Sequence, residues 1–236
     1  MKFITYDGNR FKRQKHILKE LLHEMFNILY IQENYYIAGG TIRSIFAGEK
    51  INDVDIYFVK DFNDHKKFDL IEYKLEFETD FAKSYNVKGH KVQFIKITGT
   101  PEEVMSKFDY TISMGAYDPY NDKFILEENF LYNLAERRLV FNDNTEFPIS
   151  SLWRMKKFLN RGYKIDAKSV ITLALSIHKL KIDDYTDLKK QLDGIDTLLL
   201  KDITDKLIED KKEAKYDFEE FIAYLEKAID KIWKVE

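Results

Sequence analysis

The sequence predicts an α+β first domain, residues 1–141, followed by an all-helical domain, residues 142–236. Three observations predict this. Strand-like runs rich in β-branched and aromatic residues occur only before Phe141. A strand, a glycine turn and a short helix follow one another from Tyr35 to Gly48. Beyond Pro148 the apolar residues recur only at helical spacing.

In order along the chain, Leu18, Leu21, Leu22, Met25 and Leu29 mark an amphipathic helix from Lys15 to Tyr30. It leads into a strand from Tyr35 to Ala38, which Gly39 and Gly40 interrupt. Thr41 is placed to cap a helix running to about Ala47, and Gly48 to end it. Val54 to Val59 reads as a strand, as does the alternating stretch Lys91 to Ile97. Ile112 to Tyr117 and Lys123 to Leu126, joined around Pro119 and Asn121, read as a hairpin. Asn142 to Pro148 reads as a connection. The helices that follow are marked by Ile149, Leu152, Met155 and Leu159, by Val170 to Leu180, and by Phe218, Phe221, Leu225, Ile229 and Ile232.

Composition narrows the function classes. With 236 residues, 44% of them hydrophobic, the chain can build real cores. No apolar run approaches the roughly 20 residues that cross a bilayer, and Met1 to Arg13 lacks secretory features, so no membrane and a cytoplasmic location are expected. The absence of cysteine excludes disulfides and thiolate chemistry, leaving oxygen or imidazole ligands for any metal and favouring a hard ion such as magnesium. A net charge of -3 gives no global basic surplus, so a nucleic-acid surface would have to be local.

The chemistry concentrates in Ile37-Ala38-Gly39-Gly40-Thr41-Ile42-Arg43 and Asn52-Asp53-Val54-Asp55-Ile56-Tyr57-Phe58. On a strand, residues two apart share a face, so Asp53 and Asp55 project together while Val54 and Ile56 face a core. Two converging carboxylates suit a two-metal site, with ions about 4 Å apart, of the kind used in nucleotidyl transfer. The glycines let backbone amides approach phosphate oxygens, the helix N-terminus adds donors, and Arg43 is a candidate phosphate clamp. Alone, an Asp-x-Asp is more often a solvated strand edge and a Gly-Gly a plain turn; their order and spacing give the pattern its weight.

These segments resemble the head domain of class II tRNA nucleotidyltransferases and bacterial poly(A) polymerases, in the DNA polymerase β superfamily, which carries Gly-Gly-x-x-Arg and Asp-x-Asp. A further match runs from Thr100 to Ser113, with Asp109 at the family's ribose-contacting aspartate; weaker ones are Arg137-Arg138-Leu139-Val140 and Leu152 to Phe158, continuing to Asp166. The resemblance covers roughly residues 35–166. It implies a mixed sheet flanked by helices and a neck-like helical domain. It also implies Mg²⁺ held by Asp53 and Asp55, and an NTP held by Gly39, Gly40, Arg43, Lys107, Asp109, Arg154 and Lys157. The acceptor it implies is an RNA or tRNA 3′ end.

The chain departs from that family at several places. The family's base-selecting Glu-Asp-x-x-Arg is replaced by residues including Phe147, Pro148 and Ser151, so programmed addition of C, C and A is not expected. Lys107 and Phe108 stand where the family has paired arginines, and Gln93 where many relatives have a third carboxylate. Arg154, Lys157 and Arg161 share one helix face, which serves equally as a phosphate grip or a solvated basic face. His16, His23, His65, His90 and His178 lack ligand spacing and read as structural, Tyr35, Tyr36, Tyr57 and Phe58 as packing, and Lys206 to Lys215 as a solvated charge run. Two alternatives stay open: a nucleotide-binding or interaction protein on a catalytically degraded fold, and a toxin-like transferase acting on a small molecule or a protein. The preferred nucleotide and the oligomeric state stay open as well.

Overall fold

The computed structural model describes residues 1–26, 34–68, 73–79 and 81–192, together with Asp217, Glu219, Ile222 and Ala223. The chain forms two compact units, Met1–Asn144 and Thr145–Glu236.

The first unit is an α+β layer built on an eight-stranded mixed sheet. Its strands are β1 (Phe3–Asp7), β2 (Tyr35–Ala38), β3 (Asp53–Phe58), β4 (Leu75–Glu78), β5 (Ala82–Val87), β6 (His90–Thr98), β7 (Gly115–Asp118) and β8 (Lys123–Glu127), in the order β1-β8-β7-β2-β3-β6-β5-β4. All neighbours are antiparallel except β3 and β6. The helices are α1 (Lys12–Phe26), α2 (Gly40–Ala47), α3 (Pro101–Met105) and α4 (Phe130–Ala135).

Several boundaries differ from the sequence expectation. α1 begins at Lys12, because a 3-10 turn at Gly8–Phe11 runs straight into it before its apolar stripe starts. Thr41 does not cap α2: Gly39 is the N-cap, and the Thr41 hydroxyl instead donates to Asp53 O at 3.0 Å, tethering the helix to β3. Gly48 does close the helix, in the left-handed conformation at φ 67°, with its N–H on Ser44 O. The hairpin starts at Gly115 rather than Ile112, since Thr111–Ser113 is a 3-10 turn. β1, β4 and β5 carry no clear sequence signal: β1 is short, and β4 lies at the edge with three of its four residues exposed.

The two faces of the sheet bury different cores. Val54, Ile56, Phe58, Val92 and Phe94 lie on one face, where the Phe94 ring meets Phe68 at 5.2 Å and Phe26 at 6.3 Å. On the other, Tyr36, Ala38, Tyr57, Ala116 and Ile125 are covered by Val104 and Met105 of α3 and by Met114. Thr100 and Glu103 form a reciprocal capping box that starts α3, with Thr100 N–H on Glu103 Oε2 at 2.9 Å and Glu103 N–H on Thr100 Oγ1 at 3.3 Å. Tyr35, Tyr36, Tyr57 and Phe58 are all buried, so they pack the sheet rather than offer a platform to a base. Gly115 lets α2 seat on β7, because a methyl group there would come within 2.8 Å of Ile42 Cγ2.

His65 packs into the first of these cores from the 3-10 turn Phe62–Lys67, its ring stacked on Phe62 at 4.3 Å and its Nδ1 2.8 Å from Phe62 O. Burial holds its pKa below the ordinary imidazole value. The unfolded chain therefore binds a proton that the folded chain resists. Folding stability should be unaffected by this residue above about pH 6.5, fall as pH drops from there to the folded pKa, and level off below it. Urea midpoints measured across that range should show this slope in the wild type and a shallower one in His65→Gln; parallel curves would remove His65 as the cause.

The second unit contains α5 (Pro148–Asn160), α6 (Ala167–His178) and α7 (Tyr185–Leu192). α6 starts three residues before the expected Val170, because Asp166 accepts from Ser169 N–H at 2.8 Å and caps it. Besides its helices the unit contains one two-residue strand, Lys164–Ile165. Ser150 Oγ donates to Gln191 O at 2.6 Å, fastening α5 to α7. The expected helix over Phe218 to Ile232 falls mostly outside the described residues, and the charge run from Lys206 to Lys215 wholly so. Among the described residues no helix is long and apolar enough to cross a membrane.

Candidate functional site

Asp53 and Asp55 lie at the start of β3, half-buried, on the face opposite the buried Val54 and Ile56. The turn between β2 and α2 runs directly over them. A methyl group on Gly40 would lie 3.8 Å from Asp53 Oδ1, and one on Gly39 would lie 3.8 Å from Asp55 Oδ2 and 3.7 Å from Phe108 Cε2. Gly39 sits at φ 79° and ψ -129°, a conformation that only glycine adopts without strain, and its N–H donates to Gly115 O at 3.0 Å. The turn thereby delivers the first amides of α2, which have no intrahelical acceptor, to the edge of the carboxylate pair.

Arg43 also lies on α2, but the structure gives it local partners. It is 6% exposed, with Nη2 3.2 Å from Ser44 Oγ and 3.8 Å from Glu49 Oε2. Glu49 is brought there by the Gly48 cap, its own N–H lying 2.8 Å from Ser44 O.

The Lys107–Asp109 segment approaches the same turn through Phe108, whose ring also lies 6.1 Å from that of Tyr57. Lys107 is exposed and Asp109 buried. Asn142 fixes this segment. Its Nδ2 donates to Ser106 O at 2.8 Å and Phe108 O at 2.7 Å, and its N–H to Asp109 O at 2.7 Å. In the sequence Asn142 reads only as part of a connection; a buried side-chain amide serving distant carbonyls leaves no local pattern to read.

Arg154 and Lys157 stand on α5 in the second unit, half-buried, with the Arg154 guanidinium 5.9 Å from the Phe158 ring centroid. At the start of α5, Pro148 has no N–H to offer and Ser151 Oγ donates to Phe147 O at 3.0 Å. The residues at the family's base-selecting places are thus used to begin a helix.

For a metal, the donor set is all oxygen and doubly negative, which suits a hard divalent cation. The parallel register sets Gln93 beside Asp55 and Lys91 beside Asp53. An amide can lend an oxygen but no charge. Among the described residues no cluster of three or more His, Asp or Glu is placed to hold a metal. Asp53 and Asp55 therefore fit a cation as a two-carboxylate set, without a third.

Comparison with solved structures gives the fold. A Thermotoga maritima CCA-adding enzyme complexed with tRNA superposes with a TM-score of 0.58 at 18% identity, over 92% of this chain and 58% of that one. A CCA-adding enzyme in complex with ATP gives 0.60 at 16% identity, over 93% and 59%. At these identities the likeness shows a shared nucleotidyltransferase fold. A Bacillus phage SPbetaL7 protein, Gabija anti-defense 2, is 35% identical over 204 residues, 83% of this chain and 48% of that protein. This chain spans about half the length of that relative. The resemblance to class II tRNA nucleotidyltransferases thus holds as a likeness of fold, while the family model that matches, over residues 11–137, is that of the Gabija anti-defense 2 family protein. That match spans more than half of the sequence and includes both aspartates and the glycine turn, and the chain belongs to the Gabija anti-defense 2 family.

Proposed function

We propose that this protein is a metal-dependent nucleotidyltransferase that moves a nucleoside monophosphate from an NTP to a hydroxyl acceptor, an RNA 3′ end, releasing pyrophosphate. The reaction serves an anti-defence role of the kind that the name of its phage relative describes. The observation that carries the reading is the pair Asp53 and Asp55 on one face, with the Gly39-Gly40 backbone against both carboxylates.

Asp53 and Asp55 would hold Mg²⁺, which when bound lowers the pKa of a hydroxyl and offsets triphosphate charge. The chain's own groups do the positioning. The Gly39-Gly40 turn admits the phosphates and the α2 amides receive them. Arg43 contributes positive charge from behind the turn, Asp109 takes the ribose, and Lys107 adds charge toward the triphosphate. The acceptor oxygen displaces pyrophosphate at the α-phosphorus, and its proton leaves to solvent. Phe147, Pro148 and Ser151 stand where the resembled family has its base-selecting groups, so programmed addition of C, C and A is not expected.

That no third carboxylate joins Asp53 and Asp55 among the described residues favours one other reading, in which the fold binds nucleotide without turnover. Incubation with Mg²⁺, each α-labelled NTP and total RNA separates the two. Label transfer and pyrophosphate release by the wild type, absent from the Asp53→Ala, Asp55→Ala double variant, is the expected result. Nucleotide binding with no transfer from any NTP to RNA or protein would establish the second reading.

A further inference from the structure

The face of the sheet that carries Asp53 and Asp55 does not end at β3. The register continues it outward: Asp55 stands beside Gln93, Gln93 beside Ser84, and Ser84 beside Phe77. A second row runs from Asp53 to Lys91 and Asn86. Gln93, Lys91 and Phe77 are all partly exposed, and Lys91 Nζ lies 5.3 Å from the centre of the Phe77 ring. From Asp55 to Phe77 is three inter-strand spacings, about 14 Å. That is long enough to seat a short oligonucleotide.

Ser84 supplies an independent observation. It is 0% exposed, on this face between Gln93 and Phe77, and its hydroxyl has no hydrogen-bond partner among the described residues. A buried hydroxyl without a partner is unfavourable, and alanine would fill the same space. A polar ligand entering over Gln93 and Phe77 would give it one.

We propose that this end of the carboxylate face is the acceptor seat. It takes single-stranded RNA, with a base stacked on Phe77 and a backbone phosphate on Lys91, so that the terminal hydroxyl lies at Asp53 and Asp55. An aromatic ring paired with an ammonium group is the combination that binds single strands without reading sequence. The seat rests on the nucleotidyltransferase reading for its purpose, but its binding can be measured without turnover.

The test is fluorescence anisotropy of a labelled single-stranded RNA, with full-length protein and no NTP. Phe77→Ala and Lys91→Ala should each weaken binding about tenfold, and Ser84→Ala about fivefold. Phe77→Tyr and Lys91→Arg should restore it, which also controls for folding. Affinity should fall with salt, less steeply in Lys91→Ala. In turnover assays the same variants should raise KM for RNA and leave KM for NTP unchanged. Wild-type RNA affinity in Phe77→Ala and Lys91→Ala, or transfer by the wild type to protein and not to RNA, would overturn the seat. Loss of transfer in Asp53→Ala and Asp55→Ala with RNA binding intact would support it. Intact RNA binding that depends on Phe77 and Lys91, in a wild type that transfers nothing, would leave the seat standing while the transfer reaction fell.

Discussion

Asp55→Asn is expected to slow transfer on the order of a thousandfold while leaving the fold as stable as before or slightly more stable. The amide keeps the shape of the side chain and its place beside Gln93, but removes one of the two charges that the site offers a cation. Loss of metal-assisted charge stabilisation costs several kcal/mol of barrier. At about 4 kcal/mol the rate falls on the order of a thousandfold. Stability should move the other way, because Asp53 and Asp55 are like charges sharing one strand face at its start. Asp53→Asn should behave alike. Single-turnover rates with thermal melts of the same samples provide the check. A variant that transfers at the wild-type rate would remove that aspartate from the metal site; one that loses activity and melts early would show only misfolding.

Gly8→Ala is expected to give the largest loss of stability among single-methyl additions. Gly8 N–H donates to Asp122 O at 2.8 Å, and a methyl group on Gly8 would lie 2.8 Å from that same backbone oxygen and closer still to the Asp122 carboxylate. A backbone atom held by a hairpin cannot swing aside. Asp122 is also the centre of a network: its Oδ2 accepts from Lys15 Nζ at 2.7 Å and its Oδ1 from the Tyr117 hydroxyl at 2.8 Å. Burial pushes the Asp122 carboxyl up, but the Lys15 and Tyr117 hydrogen bonds outweigh it and hold the pKa below the ordinary value. Displacing Asp122 therefore disturbs the junction of β1, α1 and the β7–β8 hairpin together. Overpacking costs about 1 to 3 kcal/mol, and a disrupted hydrogen-bond network adds to it, so a loss of about 3 kcal/mol is expected. Denaturant midpoints would show it. A loss under about 1 kcal/mol would mean that the hairpin yields, and that the contact does not fix the N-terminal strand.

The sequence by itself determined the glycine turn, the placement of two aspartates on one strand face and the stop of α2 at Gly48. Each depends on backbone geometry over a few residues: two-residue periodicity, freedom at positive φ, and a left-handed cap. It also determined that Val54 and Ile56 face a core while Asp53 and Asp55 do not. Thr41 shows where local reading stops. A threonine after two glycines reads as a cap, yet its hydroxyl goes to Asp53 O, twelve residues on. The engagement of Arg43 with Glu49, the hold of Asn142 on the Phe108 segment, and the position of Gln93, Ser84 and Phe77 beyond the carboxylates were decided by tertiary structure. Strand order is what brings them together, with β6 parallel to β3 and β5 and β4 laid outside it. Pairing between strands separated by tens of residues is selected by burial and hydrogen bonding over the whole sheet, and those long-range energies have no spacing rule along the chain.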